Sequence, residues 1–441
     1  MPPVLSPDTA RPTHEASACP AGLSPIPPPL PSGNLVDGPG ARRGRGLTGL
    51  LKRRRKRTLP ELQVRPDLAS LTPQPAPRSL NLSSPSGQTF DLPLDIDVAC
   101  WMAYLPDDVN LAELYLPGTH QSLALHYPLL SSICQSTPLT AQLRAGIRVL
   151  DLRFALCDDG ALWAYHGVVS QRKRADEALD EVYAWLESDQ GARECVIVSC
   201  KQENAAPGFA PVLWALLDRT PRSRAIWFDE DRWPALGEVR GRCVMFCRFG
   251  WETRRGLHPP IWPNDSPTVW CTSIGGRDTV VQDWYGLSTP LALPQKAALV
   301  LSLFSPAPSS PRPPGIANVS KPSSTRTLEV GPLALALPLR ISFLSCASFP
   351  LLYPSVAARG LGLPTLGLGF RGVNALVLRG LLRQRARADA CGDAGACERG
   401  RTYARGDGGM LLLMDFWECT VPARADRTGG LVSEIVRMNF A

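Results

Sequence analysis

Residues 114–124 read LYLPGTHQSLA. The apolar run predicts a strand, the Pro-Gly-Thr a turn at its end, and His120 a polar side chain delivered where that strand stops. What does not follow also matters. A nucleotide-binding doubly wound sheet carries a glycine-rich phosphate loop after its first strand, and none stands here. Further strand-like runs recur at 112–116, 147–154, 196–200, 243–247, 280–282, 341–344 and 410–416. Helical spacing falls between several of them. Ala178, Leu179, Val182, Tyr183 and Leu186 share one face of DEALDEVYAWLESD, and PVLWALLD at 211–218 reads as a second helix. Strand–helix alternation on this scale implies parallel strands with crossover helices. The expected fold is α/β, a TIM (β/α)8-type barrel, and a closed one suits the strand count and the length.

Composition sets the limits of that barrel. The chain has 441 residues, enough for a large core without a metal or disulfide staple. Its 44 prolines are unevenly spread and mark the flanks and insertions. Residues 1–88 are rich in Pro, Ser and Gly and are expected to be a disordered tail. The barrel then takes 89–441, with inserted loops near 305–324 and 384–409. The net charge of +7 owes much to the run RRGRGLTGLLKRRRKR at 42–57, so the folded part is nearer neutral and nucleic acid is not the expected partner. The run itself suits a solvated or localising tail, an anionic membrane contact, or nucleic acid.

Thirteen cysteines are scattered without a CxxC pair, which disfavours zinc of the close-paired kind and suits buried free thiols in a reducing compartment. Cys391 and Cys397 flank a Gly/Ala loop and could bridge. No signal peptide or transmembrane run is read, and the most apolar window, 331–353, is broken by Arg340 and prolines. A cytoplasmic, monomeric protein is expected.

In such a barrel, chemistry sits at the C-terminal ends of the strands. Polar residues gather at the predicted ends: His120, then Asp151 and Arg153 on one face of IRVLDLRF, His166 in LWAYHG, Lys201 and Glu203 after CVIVSC, Arg248 after RCVMFC, Asp283 and Tyr285 in VVQDWY, and Asp415 after MLLLM. Each alone has a bland explanation, such as a structural histidine, a helix-capping Asp or an isolated ion pair. Together, two histidines suit acid–base work near neutrality, and arginine and lysine beside them suit a phosphate. The set points to phosphoryl transfer or phosphodiester cleavage.

The ordered series PGTHQS, QLRAGIRVLDLRF, AYHG, VIVSCKQE and VQDWY resembles the bacterial-type phosphatidylinositol-specific phospholipases C and their X-type catalytic barrel, from about Trp101 onward. The resemblance implies a distorted barrel and a metal-independent reaction without cofactor, giving diacylglycerol and a cyclic inositol phosphate. By the same resemblance His120 is the general base on the inositol 2-hydroxyl. Asp415 is its orienting carboxylate, His166 the general acid, and Arg153, beside Asp151, the phosphate stabiliser where calcium-dependent relatives hold their metal. Lys201, Arg248, Asp283 and Tyr285 match inositol-contacting positions. A phosphatidylinositol-type phospholipid at a membrane surface is the implied partner.

The family places Asp after the motif histidine, where this chain has Gln121. Glutamine cannot stabilise an imidazolium by charge, so the general acid is expected to have a lowered pKa, and Gln121→Asp to raise turnover. Trp251, Trp262, Trp270 and Trp284 suit an interfacial rim or ordinary packing. Two other functions stay open: a pseudoenzyme or inositol-lipid-binding module, which Gln121 favours, and a metal-dependent glycerophosphodiesterase, which Arg153 disfavours.

Overall fold

The computed structural model describes residues 96–126, 129–250, 255–304, 337–364, 368–390, 408–420 and 430–440. The tail at 1–88, the insertion at 305–324, Trp251, Cys391 and Cys397 lie outside the described residues.

The strands are β1 (Tyr115–Thr119), β2 (Val149–Leu156), β3 (Leu162–His166), β4 (Val169–Arg174), β5 (Cys195–Gln202), β6 (Trp227–Phe228) and β7 (Arg242–Arg248). There follow β8 (Trp270–Ile274), β9 (Arg277–Gln282), β10 (Leu339–Phe343), β11 (Gly360–Leu363), β12 (Leu368–Arg371) and β13 (Met410–Met414). The helices are α1 (Leu139–Arg144), α2 (Ala175–Leu186), α3 (Phe209–Leu217), α4 (Pro221–Ile226), α5 (Leu293–Ser302), α6 (Pro354–Arg359), α7 (Val373–Ala390) and α8 (Leu431–Arg437).

The main sheet runs β6-β7-β5-β2-β1-β13-β10-β9-β8, parallel throughout except that β8 pairs antiparallel with β9. Continuous apolar runs explain the parallel strands. Cys195–Cys200 and Met410–Met414 are buried at every position, as strands covered on both faces must be. The barrel is distorted rather than closed: among the described residues no ladder joins β6 to β8, and a single bridge, Phe246 to Leu257, lies near that seam.

The first strand begins later than its sequence suggests. The Asn110 side chain accepts from the Ala112 N–H at 2.9 Å and caps a short turn over Leu111–Glu113, which consumes part of the predicted strand. Pro-Gly-Thr is therefore not the turn but the last three residues of β1, paired with Leu412, Leu413 and Met414. Pro117 lacks a donor, yet its carbonyl accepts from Arg148 N at 2.8 Å, so the ladder survives. Gly118 is required for close approach, since a Cβ there would stand 2.8 Å from Val149 Cβ. Helix α7 also runs on to Ala390, so the insertion expected from Gln384 starts as helix.

The opposite, N-terminal end of the barrel carries structural charge. Arg148 and Glu194, each immediately before a strand, are fully buried and meet at 2.6 Å. Arg148 also donates to the carbonyls of Leu143, Ile147 and Ala99, and Glu194 accepts from Met102 and Ala103 N–H. Every charge there is satisfied, which is the condition for burying it. Thus the polar groups at the two ends of the strands differ in kind: closed at the bottom, open to a cavity at the top.

Candidate active site

The C-terminal ends of the strands surround a cavity of ≈ 410 Å³. His120, Arg153, His166, Lys201, Arg248, Asp283, Tyr285 and Asp415 all line it. Two of the sequence candidates do not: Asp151 stands behind Arg153, and Gln121 is turned aside.

Backbone register builds the first pair. Thr119 and Met414 are partners in the β1–β13 ladder, so the next residues, His120 and Asp415, emerge side by side. His120 Nδ1 lies 2.7 Å from Asp415 Oδ1, with the ring 13% and the carboxylate 3% exposed. The residue after each is left-handed, Gln121 at φ 47° and Phe416 at φ 45°, which bends both chains away just beyond the pair. Gln135 Nε2 donates to the carbonyls of both His120 and Met414 at 2.8 Å, and Asn374 donates to the Asp415 carbonyl at 2.8 Å. The dyad is thus tied at side chain and main chain alike.

His166 comes from a different device. Strands β3 and β4 form an antiparallel hairpin off β2, and the His166–Val169 pair closes its tip. That tip carries His166 over the cavity. Burial pushes its pKa down to about 4, helped by the positive fields of His120 and Arg153. A lowered acid was expected from the missing carboxylate at Gln121; here desolvation is the larger cause. The nearest side-chain partner is a thiol, Cys134 Sγ, 3.8 Å from His166 Nδ1. Cys134 is fully buried, and burial followed by the Asp415 charge holds its thiol well above the usual range.

Arg153 lies between these groups. It donates to Asp151 Oδ2 at 3.0 Å and to Glu203 Oε1 at 3.2 Å. Burial would push the Asp151 carboxyl up, but Arg153, Arg248 and His120 outweigh it and hold it below the usual range. Burial likewise opposes the Arg153 charge, and Asp151 and Glu203 more than restore it. Gln121 donates its backbone N–H to Asp151 Oδ2 at 3.0 Å and its side-chain amide to Glu203 Oε1 at 3.4 Å. Its partner is therefore Glu203, and among the described contacts it does not reach His166.

The far wall is cationic and aromatic. Arg248 stacks its guanidinium 4.3 Å from the Trp262 ring centroid, and burial lowers its pKa. Burial, then Arg153, lowers that of Lys201. Trp262 donates to Asp283 Oδ2 at 2.9 Å, and Tyr285 donates to Asn264 at 2.8 Å. Trp262 also packs edge-on against Trp270 at 5.4 Å, and Trp284 is buried, so these tryptophans are packing residues rather than a rim.

The arrangement offers an oriented imidazole, a second imidazole and fixed cations in one cavity, as required to move protons around a phosphate. The chain is related to bacterial phosphatidylinositol-specific phospholipases C. It is 24% identical over 160 residues to a Staphylococcus aureus 1-phosphatidylinositol phosphodiesterase, covering 34% of this chain and 51% of that protein. It is 30% identical over 161 residues to the Listeria monocytogenes protein of that name, covering 33% and 47%. A Danio rerio PI-PLC X domain-containing protein 1 matches at 32% over 133 residues, covering 22% and 42%. The matches thus span about half the length of these relatives. A solved S. aureus phosphatidylinositol-specific phospholipase C superposes with a TM-score of 0.54 at 20% identity, over 78% of this chain and 98% of that one, and so shares the barrel fold. No family model matches.

Four contributors escaped the sequence: Cys134, Gln135, Asn374 and Trp262 as the seat of Arg248. The first two lie in a connection before α1 and Asn374 lies on α7, so reasoning from strand ends does not reach them.

Proposed function

We propose that this barrel is a phosphodiesterase that cleaves inositol phospholipid by intramolecular attack. The carrying observation is the His120–Asp415 pair at 2.7 Å, set in one cavity with Arg153 and His166. Asp415 accepts the Nδ1–H and leaves His120 Nε2 as the basic nitrogen. Nε2 takes the proton of the inositol 2-hydroxyl, whose oxygen then bonds to phosphorus. The bond from phosphorus to the diacylglycerol oxygen breaks, and His166 supplies that oxygen with a proton. Arg153, braced by Asp151 and Glu203, meets the charge that grows on the phosphoryl oxygens, which is the role otherwise open to a metal ion. Lys201, Arg248, Asp283 and Tyr285 surround the inositol ring.

His166 is neutral near pH 7 in the free protein, yet the reading asks it to give a proton. Bound phosphate resolves this. Its negative charge offsets Arg153, one of the groups that depress His166, and so raises the pKa in the complex.

A lipid surface is the proposed site of work. Leu129, Leu130, Val168, Ile261, Phe349 and Leu351 are exposed apolar side chains. Each belongs to, or sits within two residues of, the cavity wall at Ser131, Gly167, Pro259 or Phe349. Val168, at 94% exposure, caps the hairpin that carries His166. Such a fringe suits insertion among acyl chains. No helix among the described residues is long and apolar enough to cross a membrane, so the proposed attachment is peripheral.

The test incubates the protein with phosphatidylinositol vesicles in EDTA and looks for cyclic inositol phosphate by phosphorus NMR. Product that forms in EDTA and disappears in His120→Ala is expected. Activity that needs an added divalent metal would point to the glycerophosphodiesterase reading. Vesicle binding without product would favour the lipid-binding module, the second reading, for which the depressed His166 speaks.

A further inference from the structure

We infer that His120, Cys134 and Asp415 form an inhibitory site for a thiophilic divalent cation, zinc foremost. The inference rests on the proposed chemistry for its consequence, but not for the binding itself. One ligand atom from each residue lies within 4.8 Å of the others. Ligand atoms around tetrahedral zinc stand roughly 3.3–3.8 Å apart, given zinc–ligand bonds of about 2.0–2.3 Å. Closing the set takes a contraction of about 1 Å at the widest separation and a parting of roughly half an ångström between His120 Nδ1 and Asp415 Oδ1, now 2.7 Å apart. The fourth position has a candidate too, His166 Nδ1, 3.8 Å from Cys134 Sγ.

Main-chain bonds hold the three residues as a unit. Phe416 N, next to Asp415, donates to the Cys134 carbonyl at 2.9 Å, and Cys134 N donates to Ala124 O at 2.9 Å, on the segment that follows His120. Cys134 borders the cavity but exposes no surface to water, so a cation reaches the thiol when that side chain turns toward the mouth. The donor set is one sulfur, one carboxylate oxygen and imidazole nitrogen, a combination that suits zinc and leaves calcium and magnesium poorly served. Charge also balances. A thiolate and a carboxylate neutralise the two positive charges of the cation, so the closed complex buries no net charge.

Binding forms a sulfur–metal bond and releases the thiol proton to buffer. The His120 proton moves from Nδ1 to Nε2 as Nδ1 takes the metal. Nε2 then carries a hydrogen and can no longer accept one from a hydroxyl, so the base is disabled without being removed. The scattered cysteines offer no close-paired zinc ligands along the chain, whereas the fold gathers these three from the ends of β1 and β13 and from a loop.

Titration of the full chain with cobalt(II) tests the binding directly. A thiolate-to-cobalt charge-transfer band that saturates at one equivalent, is displaced by zinc and is unmoved by calcium is expected. Cys134→Ser should abolish the band while melting as the parent does. Should that variant not fold, His120→Ala is read instead, with cobalt affinity expected to fall by at least about tenfold and the band retained. Zinc should also inhibit phosphatidylinositol cleavage reversibly with EDTA, and at least about tenfold less in Cys134→Ser. No band in the parent, a band unchanged in Cys134→Ser, or unchanged cobalt affinity in His120→Ala overturns the inference. A chain with the band but no cleavage would instead refute the proposed function and leave the metal site standing.

Discussion

Arg248 Nη1 and Asp151 Oδ1 face each other at 3.6 Å, Arg248 in the cavity wall and Asp151 behind it, and neither atom has a hydrogen-bond partner. Buried polar atoms left open in this way are costly, and a ligand in the cavity that offers an acceptor to Arg248 relieves one of them. An inositol hydroxyl oxygen is such an acceptor. Arg248→Met is therefore expected to lower kcat/KM about 10–100-fold, mostly through KM, as removal of a charged hydrogen bond does. Initial rates on phosphatidylinositol vesicles decide it; an unchanged KM would remove Arg248 from the ring site.

Asp415→Asn should separate orientation from binding. The amide can present its N–H to His120 Nδ1 and so favour the wrong tautomer. A fall in kcat of roughly 10³–10⁴ with KM nearly unchanged is expected, by analogy with other oriented imidazole bases. A comparable loss in vesicle binding would show that Asp415 shapes the pocket rather than the base.

The structure reverses the sequence-based expectation for Gln121→Asp. The Gln121 amide bonds Glu203, and its backbone N–H bonds Asp151. Asp at this position would lose the amide donor and add a carboxylate beside two others. A lower melting temperature, corresponding to about 1–3 kcal/mol, and no gain in kcat are expected. A clear rise in kcat would mean that the new side chain swings to His166.

His166 should give a split pH response. Its pKa in the free protein is about 4, set by burial and by the positive neighbours His120 and Arg153. The protonated form is the acid, so kcat/KM loses that form as pH rises through about 4. The phosphate-bound form titrates higher, so the corresponding limb of kcat lies at higher pH. Linkage works in the opposite direction for stability. A histidine whose folded pKa falls from 6.5 to about 4 stabilises the fold above 6.5, and that share is lost as pH drops toward 4. His166→Asn should melt with less acid sensitivity across that window. Coincident kinetic limbs would contradict the account of the acid.

The rim makes a prediction independent of the chemistry. Val168→Asp with Leu351→Asp should cut activity on vesicles while sparing a soluble inositol phosphodiester. Equal loss on both substrates would place these side chains in folding rather than in lipid contact.

The polar ends of the strands were legible in the sequence because period-two alternation and chain order are local properties. Arg153, Lys201 and Asp415 could be placed at the mouth from their own strands alone. What could not be read was partnership. Gln121 was matched to His166 through the Asp that the resembled family carries at that position, yet a left-handed φ turns it toward Glu203. Cys134 and Asn374 reach the site only through contacts between distant segments. The tryptophans, apolar with a polar handle, fit rim and core equally well, and packing decided between them.

The union of β1 with β13 has a consequence for how the protein loses activity. His120 and Asp415, the proposed base and its orienting carboxylate, stand 295 residues apart, joined by one ladder. Under the proposed reaction, turnover reports whether β13 has docked. Mild denaturant that frays β13 should silence the chemistry before the helices melt, making enzymatic assay a more sensitive gauge of the barrel's integrity than its ellipticity. Simultaneous loss of both signals would show that the last strand unfolds only with the whole.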